Sequence, residues 1–162
     1  MIVYHGSTLC VQNPRILTGN RMLDFGVGFY TTRSYEQAER WAKVRMRRAK
    51  AELGAVSVYA FDYDGTAAAG WIREFPQADA EWLKFVVANR RGAKPEDSAM
   101  IHIGPVADDS VYATIQLYET GILDSHETIR RLKTEALADQ IVFHTEEALR
   151  LCRFVECREI GA

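Results

Sequence analysis

His5-Gly6-Ser7, at the start of a chain of 162 residues, and Gly26-Val27-Gly28-Phe29-Tyr30 further on combine what is needed to grip a flat ring bearing a carboxamide. The imidazole of His5 can hydrogen-bond a hydroxyl. Gly6, lacking a Cβ, lets its backbone N–H and C=O come close to an amide. Tyr30 offers an aromatic face, and stacking on it adds on the order of 0.5–1.5 kcal/mol beyond area burial. Trp41, eleven residues after Tyr30, is either a second stacking aromatic or a core residue. Ser7 and Thr32 are further candidates for sugar or backbone contacts. The bland alternatives are a strand histidine beside a turn and two core aromatics.

The elements that must position these residues are legible in outline. Met1 to His5 is a short apolar run that reads as a strand, and Ser7 to Leu23, with Asn13-Pro14 and Gly19-Asn20, reads as a long loop. Phe29 to Thr32 suits a second strand. Ser34 and Gln37 have capping-box spacing. The periodicity of Ala38, Trp41, Ala42, Arg45 and Ala49 then predicts a helix to about Leu53, ended by Gly54. Val56 to Asp62 alternates as a strand, and Asp62 to Gly70 reads as a loop.

Further on, Asp79 caps an expected helix with Trp82, Phe85, Val86 and Asn89 on one face and Gly92 as its stop. Met100 to Ile103 reads as a strand. Asp109 or Ser110 caps a helix over Val111 to Glu119, and Ser125 opens another to about Ala138. Ile141 to Phe143 reads as the final core strand, followed by a helix from Thr145 to about Arg153. With no repeat and no linker-like stretch, the expectation is a single α+β domain over residues 1–162. No G-x-G-x-x-G turn follows a strand, which disfavours a dinucleotide site of the Rossmann type.

Tyr4-His5-Gly6-Ser7, then Phe25-Gly26-Val27-Gly28-Phe29-Tyr30, then Ala38 to Trp41 resemble the NAD-binding half of ADP-ribosyltransferases of the diphtheria-toxin and poly(ADP-ribose) polymerase type. The whole chain, including Ala107-Asp108-Asp109, Ile115-Gln116-Leu117-Tyr118 and Ile141-Val142-Phe143-His144-Thr145, also resembles a bacterial domain family of unassigned function grouped with these transferases. Members of that family sit beside small antitoxin-like proteins. The resemblance implies a split β-sheet core with flanking helices and NAD+ as co-substrate. It also implies transfer to a protein or nucleic-acid acceptor with release of nicotinamide, a toxin or effector role, and a cognate antitoxin. His5, Gly6, Ser7, Tyr30, Thr32 and Trp41 would hold NAD+, and His5, Tyr30 and Gln140 would be the catalytic set.

Gln140 is where the chain departs from the pattern, which places a glutamate at the head of a late strand. An amide can bind a ribose hydroxyl, but it cannot offset the positive charge that develops as nicotinamide leaves. A weak or silent NAD- or ADP-ribose-binding module is therefore the alternative, and Gln140 could equally be a strand-end residue bonding backbone groups. Asp139 should point to the opposite face. Asp108 and Asp109 read as caps or acceptor-side groups, and Asp24 either orders its loop or reaches the cleft.

Net charge −2 gives no global drive towards polyanions or anionic membrane. Locally, Lys43, Arg45, Arg47, Arg48 and Lys50 make a basic helix face that is either solvated or docks an acidic partner or nucleic acid. Cys10, Cys152 and Cys157 have no C-x-x-C spacing, so neither a disulfide nor a zinc site is expected and a reducing cytoplasm is the default. No apolar run approaches the ~18 residues of a membrane span, and no export signal is visible. His102, His126 and His144 appear scattered, without carboxylate or cysteine partners at metal-ligand spacing.

Overall fold

The computed structural model describes residues 1–17, 23–93, 97–106, 109–132 and 138–161. It is a mixed α+β molecule with two sheets. Strands β1 (Ile2–Ser7), β3 (Leu53–Phe61) and β7 (Cys152–Gly161) form a three-stranded antiparallel sheet in the order β1-β3-β7. Strands β2 (Phe29–Thr31), β6 (Asp139–Phe143), β5 (Ile101–Pro105) and β4 (Ile72–Glu74) form the second, in the order β2-β6-β5-β4, with only β4 and β5 parallel. The sheets touch through an isolated bridge between Tyr4 and Thr32.

Strand periodicity sorts the side chains of the second sheet onto two faces. Phe29, Phe143, Ile101, Ile103 and Ile141 face the first sheet and pack with Val3, Tyr59 and Phe61. On the other face Val142 joins Phe25, Phe75, Trp82, Leu83 and Val86, against α3 (Ala80–Arg90), α4 (Asp109–Glu119) and α5 (Ser125–Leu132). Helix α1 (Tyr35–Ala49) lies on β1 and β3 through Ala38, Ala42 and Met46. Burying this apolar surface contributes roughly 25 cal/mol per Å².

Expected caps are present where side-chain chemistry dictates them. The Ser34 hydroxyl accepts from the Gln37 N–H at 3.1 Å and the Asp79 carboxylate from the Trp82 N–H at 2.9 Å. Gly92 and Gly121 follow α3 and α4 with φ of 73° and 76°, as helix-ending glycines do.

Other boundaries differ. Helix α1 ends at Ala49, not near Leu53, because Lys50 turns left-handed with φ 53° and its N–H bonds back to Arg47. The chain is then already in β3 at Leu53. The expected loop from Asp62 contains the short helix α2 (Tyr63–Ala68), capped by Asp62, and β4 follows it. The last helix, α6 (Glu146–Leu149), is a single turn, and the final strand is β7, not β6. A register shift against Val58/Tyr59 breaks the alternation of β7, so its sequence does not read as a strand. The Gly19-Asn20 turn, Asp108, the capping side chains of Asp109 and Ser110, and the expected helical stretch 133–137 lie outside the described residues.

Cys10 and Cys157 form a disulfide, contrary to the expectation from spacing, and Cys152 is free and buried. They are separated by 147 residues, and their Cα atoms are 5.9 Å apart because β7 pairs with β3, which pairs with β1. Sequence spacing carries no trace of such a pairing. Among the described residues no helix is long and apolar enough to cross a membrane.

Candidate functional site

The site is built where the two sheets part. Tyr4 and Thr32 exchange N–H···O=C bonds of 2.8 and 3.0 Å, after which β2 turns away to pair with β6. Antiparallel strands alternate their hydrogen-bonding direction residue by residue. The Met1 carbonyl accepts from the Phe61 N–H, so odd-numbered residues of β1 bond β3 and even-numbered ones face the other way. Gly6 is therefore directed as Tyr4 is, but it lies past the bridge. Its N–H and C=O point into the seam between the sheets.

The missing Cβ of Gly6 answers to a different neighbour from the one expected. A Cβ there would lie 1.8 Å from the Ala38 carbonyl oxygen and 2.8 Å from the Ala42 nitrogen, so glycine is required by close packing of α1. The absent side chain thus answers to α1, while the backbone N–H and C=O, which have no hydrogen-bond partner among the described residues, run in the plane of the sheet.

His5 is buried, stacked on Phe29 at 4.4 Å between centroids, and its Nδ1 donates to the Tyr30 carbonyl at 2.6 Å. Burial lowers its pKa to about 4 against the opposing pull of that carbonyl, so the ring is neutral at pH 7. A neutral ring donating from Nδ1 presents Nε2 as an acceptor. Ser7 shares the His5 side of β1 by alternation and is half-buried.

The Tyr30 hydroxyl donates to the Gly26 carbonyl at 2.7 Å and accepts from the Phe25 N–H at 3.2 Å. Burial, and then the Asp24 carboxylate, push its pKa up. Its ring is half-buried against the α3-side core. Asp24 orders this turn, pairing with Arg90 of α3 at 2.7 Å. The Arg90 guanidinium also lies 4.5 Å above the Tyr112 ring, and its Nη1 is buried without a hydrogen-bond partner among the described residues.

Tyr30 stands opposite Val142 in the β2–β6 pair, and Gln140 is two residues along β6, on the same sheet face. Gln140 is 2% exposed and its Nε2 donates to the Pro105 carbonyl at 3.2 Å. That leaves Oε1 without a hydrogen bond among the described residues. The side chains of Tyr30 and Gln140 thus share a face, while that of His5 lies on the inter-sheet side and meets Tyr30 through its backbone. Asp139 points the other way, as expected, ion-pairing with Arg33 and accepting from Thr32 Oγ1 at 3.2 Å. Thr32 is fully buried and also accepts from the Ser34 N–H, so its hydroxyl fastens the strand end. Trp41 is half-buried on α1.

On the basic face of α1, Lys43 pairs with Glu39 at 2.7 Å. A cavity of about 410 Å³ beside the disulfide is lined by Thr8, Leu9, Cys10, Leu53 and Cys157 among others, directly beyond the end of β1.

Two histidines read as scattered are in contact. His102 Nδ1 lies 2.9 Å from His144 Nε2, and His102 Nε2 lies 3.0 Å from Asp97 Oδ2. Arg73 Nη1 reaches the same carboxylate oxygen at 2.6 Å. His144 Nδ1 meets the Val27 carbonyl at 2.6 Å, on the turn leading to Tyr30. The two rings are 42 residues apart in sequence and meet only through the β5–β6 pairing, so no local motif could have revealed them. Among the described residues no group of three or more His, Cys, Asp and Glu is arranged to hold a metal ion.

No curated protein sequence and no solved structure matches the chain. A family model does, over residues 1–154, and the chain therefore belongs to the family described as protein of unknown function (DUF3990).

Proposed function

We propose that the protein is an NAD+-dependent mono-ADP-ribosyltransferase built on a split-sheet core of the diphtheria-toxin and poly(ADP-ribose) polymerase kind. The observation that carries this reading is the place of Gly6 two residues past the Tyr4–Thr32 bridge, where alternation along β1 directs its N–H and C=O away from β3 and into the parting of β1 and β2. One donor and one acceptor side by side match a carboxamide. Tyr30 would cover the nicotinamide ring, His5 Nε2 would accept from a ribose hydroxyl, and Gln140 Oε1 would accept from the ribose 2′-hydroxyl. Ser7, Thr32 and Trp41 would supply the remaining contacts to NAD+.

In the reaction, the bond between ribose C1′ and the pyridinium nitrogen breaks, nicotinamide departs with the electron pair, and an acceptor nucleophile attacks C1′ and sheds its proton. The acceptor is a protein or nucleic acid, and the toxin role and cognate antitoxin follow from the family resemblance alone. Without a carboxylate at position 140 the developing charge is poorly offset. Losses of about 10² to 10³ in rate accompany removal of comparable electrostatic groups.

Gln140 also motivates a second reading, a module that binds NAD+ or ADP-ribose without turnover, because its amide is anchored on the Pro105 carbonyl. Incubation with NAD+ labelled in the adenosine half, with and without cell lysate, separates the two. Released nicotinamide and a labelled macromolecule, both lost in His5→Ala, support the transferase. Calorimetric binding of NAD+ without release selects the silent module, and neither binding nor release removes both readings.

A further inference from the structure

The Asp97–His102–His144–Val27 chain has a proton count that its geometry does not leave free. It contains three contacts between hydrogen-bonding atoms and ends on two acceptors, the Val27 carbonyl and the Asp97 carboxylate. Each contact needs one proton, and two neutral imidazoles supply two. With both ends satisfied, His102 Nδ1 and His144 Nε2 face each other as two lone pairs at 2.9 Å.

We propose that His102 and His144 form a proton-operated latch. One extra proton, shared between those two nitrogens, completes the chain from Asp97 to the Val27 carbonyl and fixes the Gly26–Gly28 turn that leads into Tyr30. Without that proton the facing lone pairs repel, and His144, the less buried ring, swings off Val27. Both nitrogens of each ring are used within the chain, so the pair is not a general base. Its residues position the turn.

The turn is built to feel this contact. A Cβ on Gly28 would lie 2.5 Å from Val142 Cγ1 and 2.8 Å from the Phe143 carbonyl oxygen, so the turn is seated on the end of β6, which carries His144. The groups facing the pair come from every neighbouring element. Asp97 precedes β5, Arg73 stands on β4, and Glu81 of α3 lies 3.7 Å from Arg73. The rings of Phe25, Phe75 and Phe85 surround His102 at 6.1, 6.4 and 4.6 Å. Burial works against charge on both imidazoles, opposed by Asp97 at His102 and chiefly by the Val27 carbonyl at His144, so the latch closes on acidification, below the ordinary imidazole value of 6.5.

The latch goes beyond the transferase reading, and its test needs no NAD+. Imidazole nitrogen NMR of the intact protein across pH 4–8 follows the two rings, while the Gly28 amide nitrogen senses the bond on the Val27 carbonyl. The expected result is uptake of one proton by the pair, with the Gly28 signal moving at the same midpoint. In Asp97→Asn the amide Nδ2 takes the place of the oxygen that accepts from both His102 and Arg73; with Arg73 Nη1 displaced from it, Nδ2 donates to His102 Nε2 and supplies the third proton, so in that variant the Gly28 signal should hold its acid-form position throughout. Two rings titrating independently, a Gly28 signal that ignores them, or an Asp97→Asn protein that titrates like the parent would each overturn the latch.

Discussion

Gln140 is subject to opposed demands from chemistry and from fold. The proposed reaction would be faster with a carboxylate there, yet the buried amide donates to the Pro105 carbonyl. In Gln140→Glu two acceptors would face each other, which costs about 1–3 kcal/mol. The expected outcome is a protein with a lower melting temperature and nicotinamide release raised up to about 10² to 10³-fold, checked by calorimetry and chromatographic nicotinamide assay. Lower stability with no gain in release would count against Gln140 facing the ribose. Tyr30 separates ring from hydroxyl. Tyr30→Phe keeps the stacking face but orphans the Phe25 N–H and the Gly26 carbonyl, so stability should fall by about 1–3 kcal/mol while KM for NAD+ holds. A large rise in KM at unchanged stability would show that the hydroxyl, not the ring, meets the ligand.

At the scale of elements, what was legible in the sequence is what local chemistry decides. Asp79 and Ser34 announce helix starts because a short acceptor there binds orphan N–H groups, and both caps are present. The strand carrying His5 and the strand carrying Tyr30 were equally local. What escaped were consequences of register: the bulged edge strand β7, the His102–His144 contact and the disulfide all depend on which strands become neighbours. Gly6 was singled out for the close approach of a ligand, but packing against α1 already explains its lack of a side chain. The disulfide ties the loop after β1 to the edge of its sheet, and Cys10→Ser should lower unfolding stability by about 2–4 kcal/mol. Denaturant titration of the oxidised parent, the reduced parent and the variant checks this, and the last two should coincide. Such a bond forms in oxidising surroundings, at odds with the cytoplasmic default.

For the molecule as a whole, the buried imidazoles set how stability follows pH. Folding depresses the pKa of His5 and of His144 to about 4, in each case through burial first, and lowers that of His102 as well. The unfolded chain, with imidazoles near 6.5, therefore binds more protons than the folded one between those values, and stability rises with pH across that window. The contribution is fully present above pH 6.5, is lost as pH falls towards 4, and amounts to a few kcal/mol in order of magnitude. Asp97 extends the trend. Burial alone would raise its pKa, but hydrogen bonds from His102, the Ala99 N–H and Arg73 outweigh it and hold the value at about 2, so further stability is lost as pH drops below the ordinary carboxylate value. Global stability and the latch thus respond to acid in opposite senses: the proton that closes the Val27 contact is one the unfolded chain binds more readily. Urea unfolding at pH 7, 5.5 and 4.5 should give midpoints that fall in that order while the Gly28 amide reports a closing turn. Midpoints that are flat over this range would mean that the imidazoles are not held neutral inside the folded protein.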